Sequence, residues 1–264
     1  MQKTILITGS TDGIGKLAAE KLAEDGHAVY LHGRHPDKLS AAVAEVKSTA
    51  GNRSVQGFTA DLSDLDAVAQ MADQIIKELP KIDILINNAG VFKSPEPHNK
   101  TGLDIRFVVN YLAPFLLTEH LIPLLNKGAE PRIINLSSAA QSAVSHRALS
   151  GKAQITEAQA YAQSKLALTM WSFHLAETLS NIAVIAVNPG SLLNTKMVAE
   201  AYGRHWSPAD KGAKILYDLA VSGKYKGITG EYFDNDKGGF GPAHPDAYDR
   251  AEIEKLIRTT RNLV

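Results

Sequence analysis

The chain has 264 residues, with 28 basic and 28 acidic side chains and a formal net charge of zero. That length suits one α/β domain with a core large enough to need no covalent staples, and the balanced charge excludes a broad basic field for nucleic acid or an anionic membrane. There is no cysteine, which removes disulfides, thiol nucleophiles and Cys-ligated metals and is the usage expected of a reducing, cytoplasmic setting.

Short apolar runs alternate with longer helical patterns, the signature of βαβ units and a parallel sheet. Strands are expected at 4–8, 27–32, 54–59, 82–87, 132–137, 182–187 and 229–233. Helices are expected at 13–25, 36–50, 64–79, 101–126, 157–180, 208–222 and 246–261, the sixth with Ser207 as N-cap and Pro208 as its first residue. The fold class is therefore α/β, a doubly wound sheet of about seven mainly parallel strands with helices on both faces, in a single domain spanning 1–264. The first apolar run is too short for a signal peptide, and no stretch reaches the roughly 18 apolar residues of a membrane span. Two irregular stretches, 139–156 and 188–206, follow strand ends, where open α/β sheets bind ligands.

Thr8-Gly9-Ser10-Thr11-Asp12-Gly13-Ile14-Gly15 lies between the first strand and the first helix. Glycines there permit a sharp turn and the approach of a pyrophosphate to the main chain, and the helix N-terminus adds unpaired N–H groups. The spacing G-x-x-x-G-x-G departs from the general dinucleotide fingerprint, and an ordinary Gly-rich turn would look similar. The second strand ends at Tyr30-Leu31-His32-Gly33-Arg34-His35, with no carboxylate until Asp37. An acid in this region would bind the ribose hydroxyls of NAD; Arg34 could instead pair with a 2′-phosphate, so NADP(H) is favoured and NAD(H) left open. Asn87-Asn88-Ala89-Gly90 closes the fourth strand, where Asn amides can bridge neighbouring strand ends.

Further along, Ser137 and Ser138 end the fifth strand, and alternation sends their side chains to opposite sides. Tyr161 and Lys165 are four apart, so on a helix they share a face. A free phenol, with a pKa of about 10, is a poor base at neutral pH. A neighbouring ammonium favours the phenolate and fits the pair for proton transfer between a carbonyl and an alcohol. No other Tyr-x-x-x-Lys occurs in the chain. Asn110 sits within the apolar run Phe107-Val108-Val109-Asn110-Tyr111-Leu112-Ala113-Pro114 and needs polar partners. The nine His show no His-Glu-x-x-His pattern, and no metal is expected.

Together the glycine turn, Asn-Asn-Ala-Gly and Tyr-Ala-Gln-Ser-Lys resemble the short-chain dehydrogenase/reductase family over almost the whole chain. The helix Asn110-Tyr111-Leu112-Ala113-Pro114-Phe115-Leu116-Leu117-Thr118, the long gap between Ser138 and Tyr161, and the terminal Tyr232-Phe233 are closest in pattern to retinol-dehydrogenase-like members. The resemblance implies a Rossmann-like fold and a catalytic tetrad of Asn110, Ser138, Tyr161 and Lys165, with Asn110 holding a water that links Lys165 to solvent. It implies a cofactor site drawn from Gly9, Ser10, Thr11, Gly13, Ile14, Gly15, Arg34, Asp61, Leu62, Asn88, Ala89, Gly90, Tyr161, Lys165, Pro189 and Gly190. In it Asp61-Leu62 lies against the adenine and the backbone of Pro189-Gly190 near the nicotinamide. Family members usually carry a Thr four residues after that Gly; here Thr195 comes one residue late.

The expected activity is hydride transfer between NADP(H) and a small-molecule carbonyl or alcohol, with Tyr161 as general acid/base. The alternative is a regulatory or sensor protein that binds NADP(H) without significant turnover. The resemblance leaves a homodimer or homotetramer open. Phe92, Val144, Leu149, Leu192, Leu193, Met197, Tyr202 and Trp206 are candidates for a mainly apolar substrate pocket, and 191–206 is expected to order as a lid.

Overall fold

The computed structural model describes residues 1–203 and 207–264. Chain order runs β1 (Thr4–Ile7), α1 (Gly13–Glu24), β2 (Ala28–Gly33), α2 (Pro36–Ala50), β3 (Val55–Thr59), α3 (Leu65–Glu78) and β4 (Ile84–Asn87). It continues through α4 (Ile105–Phe107), a π-helical stretch (Val108–Leu112), α5 (Ala113–Leu125), β5 (Arg132–Leu136), α6 (His146–Leu149), α7 (Glu157–Thr178) and β6 (Ala183–Asn188). The last elements are α8 (Lys196–Tyr202), α9 (Ala209–Val221), β7 (Glu231–Asp234), β8 (Gly239–Phe240) and α10 (Arg250–Arg261).

One sheet has the order β3-β2-β1-β4-β5-β6-β7-β8. All pairings are parallel except β7–β8, which closes as a hairpin. The sheet thus has eight strands where the sequence suggests seven; β8 is two residues long, too short to carry a period. Alternation along β1 shows why the sheet is covered on both faces. Leu6 joins a core with Val68, Phe107 and Trp171, whereas Ile5 and Ile7 join a second core with Ala18, Leu22 and Leu216. Strand order reverses between β1 and β4, and the crevice beyond the carboxyl ends there is where such sheets hold dinucleotides.

Helix starts follow capping chemistry. Asp12 accepts from the Gly13 N–H, Asp64 from Asp66 and Ala67, and Thr156 forms a reciprocal capping box with Gln159. The expected start of α9 is corrected. The helix begins at Ala209, because Ser207 pairs its backbone with the 192–194 loop: its N–H donates to the Leu192 carbonyl and its carbonyl accepts from Asn194. The expected helix 101–126 begins later, at Ile105, capped by Asp104. Ile105–Leu125 is long and apolar enough to cross a bilayer, and 67% of that window is buried inside the fold. Packing against α3 and α7 accounts for that composition.

Candidate active site

The glycine turn is built against the end of β4. A Cβ on Gly9 would lie 2.7 Å from the Ala89 Cα, and one on Gly15 would lie 2.4 Å from the Asn88 Nδ2. Gly9 also has φ of +62°, so two separate demands exclude a side chain there. Asn88 Nδ2 donates to the carbonyls of Thr8 (2.8 Å) and Gly9 (2.7 Å), and the Thr8 hydroxyl accepts from the N–H groups of Asn88 and Ala89. Asn87 reaches the other way, donating to Asn135 Oδ1 at 2.8 Å and to the Thr118 hydroxyl. The two asparagines therefore lock the turn to the sheet centre. The N–H groups of Ile14 and Gly15, in the first turn of α1, have no partner among the described residues. A helix terminus with spare N–H groups fits a phosphate.

Ser10 is fully buried, and its polar atoms are committed. Its hydroxyl donates to the Ile7 carbonyl and accepts from the His32 N–H, and its own N–H donates to the His32 carbonyl. Ser10 thus holds the turn together from beneath. Thr11 packs its methyl on Gly33, where a Cβ would clash at 2.4 Å. Arg34 follows β2, is exposed, and makes no ion pair or hydrogen bond among the described residues. Asp61 is exposed just beyond β3 and accepts from the Ser63 N–H, whereas the Leu62 side chain is buried in the core. Leu62 can therefore face a nucleotide only through its backbone.

His32 was not among the residues the sequence singles out. Its Nδ1 accepts from the Gly9 N–H at 3.0 Å and its Nε2 lies 3.1 Å from the Ala60 carbonyl. These partners fix the neutral tautomer with the proton on Nε2. Burial pushes its pKa down to about 4. A lone His in a strand gives no signal in a sequence; only the pairing of β1, β2 and β3 reveals its place.

The Tyr161–Lys165 pair lies across the crevice. Lys165 is buried, its Nζ donates to the Leu136 carbonyl at 2.7 Å, and it sits 5.7 Å from the Tyr161 ring centroid. Burial lowers its pKa to about 8, which leaves it largely an ammonium at neutral pH. Asn110 sits in the π-helical stretch, fully buried. Its Oδ1 accepts from Val91 N–H at 2.7 Å, while its Nδ2 donates to the Val91 carbonyl and the Ser164 hydroxyl. Ser164 in turn donates to the Tyr161 carbonyl. Asn110 thereby ties the segment after Gly90 to the helix that carries Tyr161. The widened turn is a common feature of functional sites.

The two serines that follow β5 point to different surroundings. The Ser137 hydroxyl is buried against α7, donating to the Lys165 carbonyl and sharing a 2.7 Å bond with Thr169. Ser138 is half-buried, its hydroxyl accepts from the Ala140 N–H, and its carbonyl accepts from Tyr232 and Gln141. Pro189 and Gly190 follow β6, and Gly190 has φ of +119°. Thr195 caps α8 and places its methyl 3.7 Å from the position of a Cβ on Gly13, so it reaches the glycine turn despite its offset.

The pocket candidates divide. Phe92 packs on Tyr161 with ring centroids 4.9 Å apart, and the Met197 methyl lies 3.5 Å from where a Cβ on Gly90 would be. Leu149 and Leu193 are buried and anchor their loops to the body of the domain. Val144 and Leu192 are half-buried. The Tyr202 side chain and Trp206 lie outside the described residues.

A family model for short chain dehydrogenases matches residues 3–205. Human retinol dehydrogenase 13 is 32% identical, over 99% of this chain and 84% of its own. A short chain dehydrogenase from Escherichia coli CFT073 solved with NADPH superposes with a TM-score of 0.72 at 30% identity, covering 88% of this chain and 96% of that one. One from Shigella flexneri 2a solved with NADP gives a TM-score of 0.72 at 29% identity, covering 89% and 97%. With the eight-stranded sheet and the glycine turn already in place, the chain belongs to the short chain dehydrogenase family, with its pattern nearest to retinol-dehydrogenase-like members.

Proposed function

We propose that this oxidoreductase uses NADP(H) to interconvert a carbonyl and an alcohol on a mostly apolar small molecule, as a carbonyl reductase or alcohol dehydrogenase. The observation that carries the reading is the buried Lys165 ammonium beside the Tyr161 ring, across the crevice from a helix terminus with spare N–H groups. The spare groups of Ile14 and Gly15 would hold the pyrophosphate, Arg34 the 2′-phosphate, and the backbone of Ala89–Gly90 and Pro189–Gly190 the far end of the nucleotide. The relatives solved with NADP and NADPH support this choice of nucleotide, with NAD(H) left open.

The bound nicotinamide supplies a hydride donor or acceptor. Tyr161 gives a proton to the substrate oxygen in reduction and takes it in oxidation. Lys165 favours the phenolate by its charge. The Ser138 hydroxyl holds the same oxygen, as its place at the end of β5 allows. Asn110 holds the Tyr161 helix in register with Gly90, and on the family reading it also keeps the water path to Lys165. Phe92 on Tyr161 and Met197 beside Gly90 would favour an apolar ketone or aldehyde over a polyol. A retinol dehydrogenase among the relatives is in keeping with such a substrate. A cytoplasmic setting is part of the same proposal.

The test is NADPH oxidation against ketones, aldehydes and quinones, run beside a direct NADPH binding titration. Turnover of apolar carbonyls supports the reading. Tight binding with no turnover across the set would favour a sensor instead.

A further inference from the structure

Residues 188–191, at the end of β6, are held by one short turn, while 192–194 pair with Ser207. Asp236, in the β7–β8 hairpin, accepts from the Ser191 N–H at 2.9 Å, the Ser191 hydroxyl at 2.6 Å and Asn188 Nδ2 at 2.9 Å. Its neighbour Asn235 donates through Nδ2 to the Pro189 carbonyl at 2.8 Å and to the Lys211 carbonyl at 3.2 Å, and through its backbone to the Asn188 carbonyl. Asp234 accepts from the same Asn188 amide at 2.9 Å, and Asn188 Oδ1 accepts from the Gly190 N–H. The Lys211 ammonium stands 3.7 Å from Asp236. Every residue from Asn188 to Ser191 is therefore bonded to the turn, or to a residue the turn holds.

These bonds gather on a surface hairpin that adds only a two-residue strand to the sheet edge. Asp236 and Ser191 are exposed, so these bonds contribute little to global stability. What they fix is the path of Pro189–Gly190, including a glycine at φ of +119°. That segment lies beyond the end of β6, which pairs with β5, the strand that Ser138 follows. A dinucleotide with its phosphates on the turn after β1 and its adenosine toward β2 extends its other half toward β4, β5 and β6.

We infer that Asp236, supported by Asn235, is a positioning residue that braces the 188–191 loop against the nicotinamide half of the bound nucleotide and leaves the adenosine half untouched. This rests on the NADP(H) reading above. The experiment separates the two halves by titrating wild type, Asp236→Ala and Asn235→Ala with NADPH and, separately, with adenosine 2′,5′-bisphosphate. Amide exchange at Gly190 and Ser191 is followed in the ligand-free proteins. The expected result is an unchanged bisphosphate affinity, NADPH bound about tenfold more weakly by Asp236→Ala and less affected in Asn235→Ala, and faster exchange confined to the loop. A general scaffold role would weaken both ligands together, and an idle turn would change neither ligand; both results overturn the inference. If Asp236→Ala does not fold, Asn235→Ala decides on the same readouts. A wild type that binds neither ligand overturns the cofactor reading itself, and the brace falls with it.

Discussion

The two ends of the cleft are held by different kinds of bond. Near β2, the glycine turn rests on Ser10 and His32, buried and uncharged, in a closed set of hydrogen bonds. Near β6, the loop 188–191 hangs on Asp234, Asn235 and Asp236, two of them charged and Asp236 facing solvent. Satisfied bonds in a low-dielectric interior are strong and rigid, whereas exposed charged ones are screened by salt and individually weak. The first end is rigid while His32 stays neutral; the second can give.

Substitutions at the two ends, and between them, should separate these behaviours. The largest effect is expected between the ends. Tyr161→Phe should lose roughly 100-fold or more in turnover by removing the proton-transfer group, while NADPH binding stays largely intact. Steady-state rates on a substrate of the wild type check this, and near-normal turnover would refute the acid/base assignment.

Arg34→Ala should weaken NADPH by roughly 10- to 150-fold, the worth of a charged hydrogen-bonded contact, and NADH far less. Titration of both nucleotides into both proteins decides it; equal losses would remove the 2′-phosphate role.

The buried end predicts a pH effect. The unfolded imidazole of His32 takes a proton near 6.5, whereas the folded one resists until about 4. More protons are bound by the unfolded chain in that window, so stability falls as pH drops through it, by roughly 3 kcal/mol from this residue. His32→Asn keeps an acceptor near the Gly9 N–H but cannot titrate, so its acid limb should be shallower in denaturant unfolding. An identical limb in both proteins would show that His32 does not carry the effect.

At the substrate end the change should be smaller. Phe92→Ala should cost about tenfold in kcat/KM for an apolar ketone, the loss typical of removed apolar contact, and much less for a small polar aldehyde. A uniform loss for both would mean that Phe92 supports Tyr161 and does not select substrate.

The comparison also explains what could be read from sequence. The glycine turn, Asn-Asn-Ala-Gly and the Tyr161–Lys165 pair are local patterns whose chemistry depends on neighbours a few residues away. Central strands such as β4 and β5 were legible because burial on both faces makes them continuous runs of mostly apolar residues. His32 was not, because its partners Gly9 and Ala60 lie 23 and 28 residues away. Asp236 was not, because Ser191 is 45 residues distant. Ser207 misled for the same reason: a cap signal was overridden by pairing with the 192–194 loop. The glycines carry a further lesson. Gly9 and Gly15 are demanded by Ala89 and Asn88, so the turn's sequence records its packing on β4 as much as its fitness for phosphate.

The most direct test of direct hydride transfer is to supply NADPH deuterated on the transferring face of nicotinamide C4 with an apolar ketone and to locate the label in the product. The account predicts deuterium on the carbinol carbon in proportion to NADPH consumed, with the hydroxyl proton drawn from solvent. Label lost to water, or NADPH consumed with no alcohol formed, would contradict it.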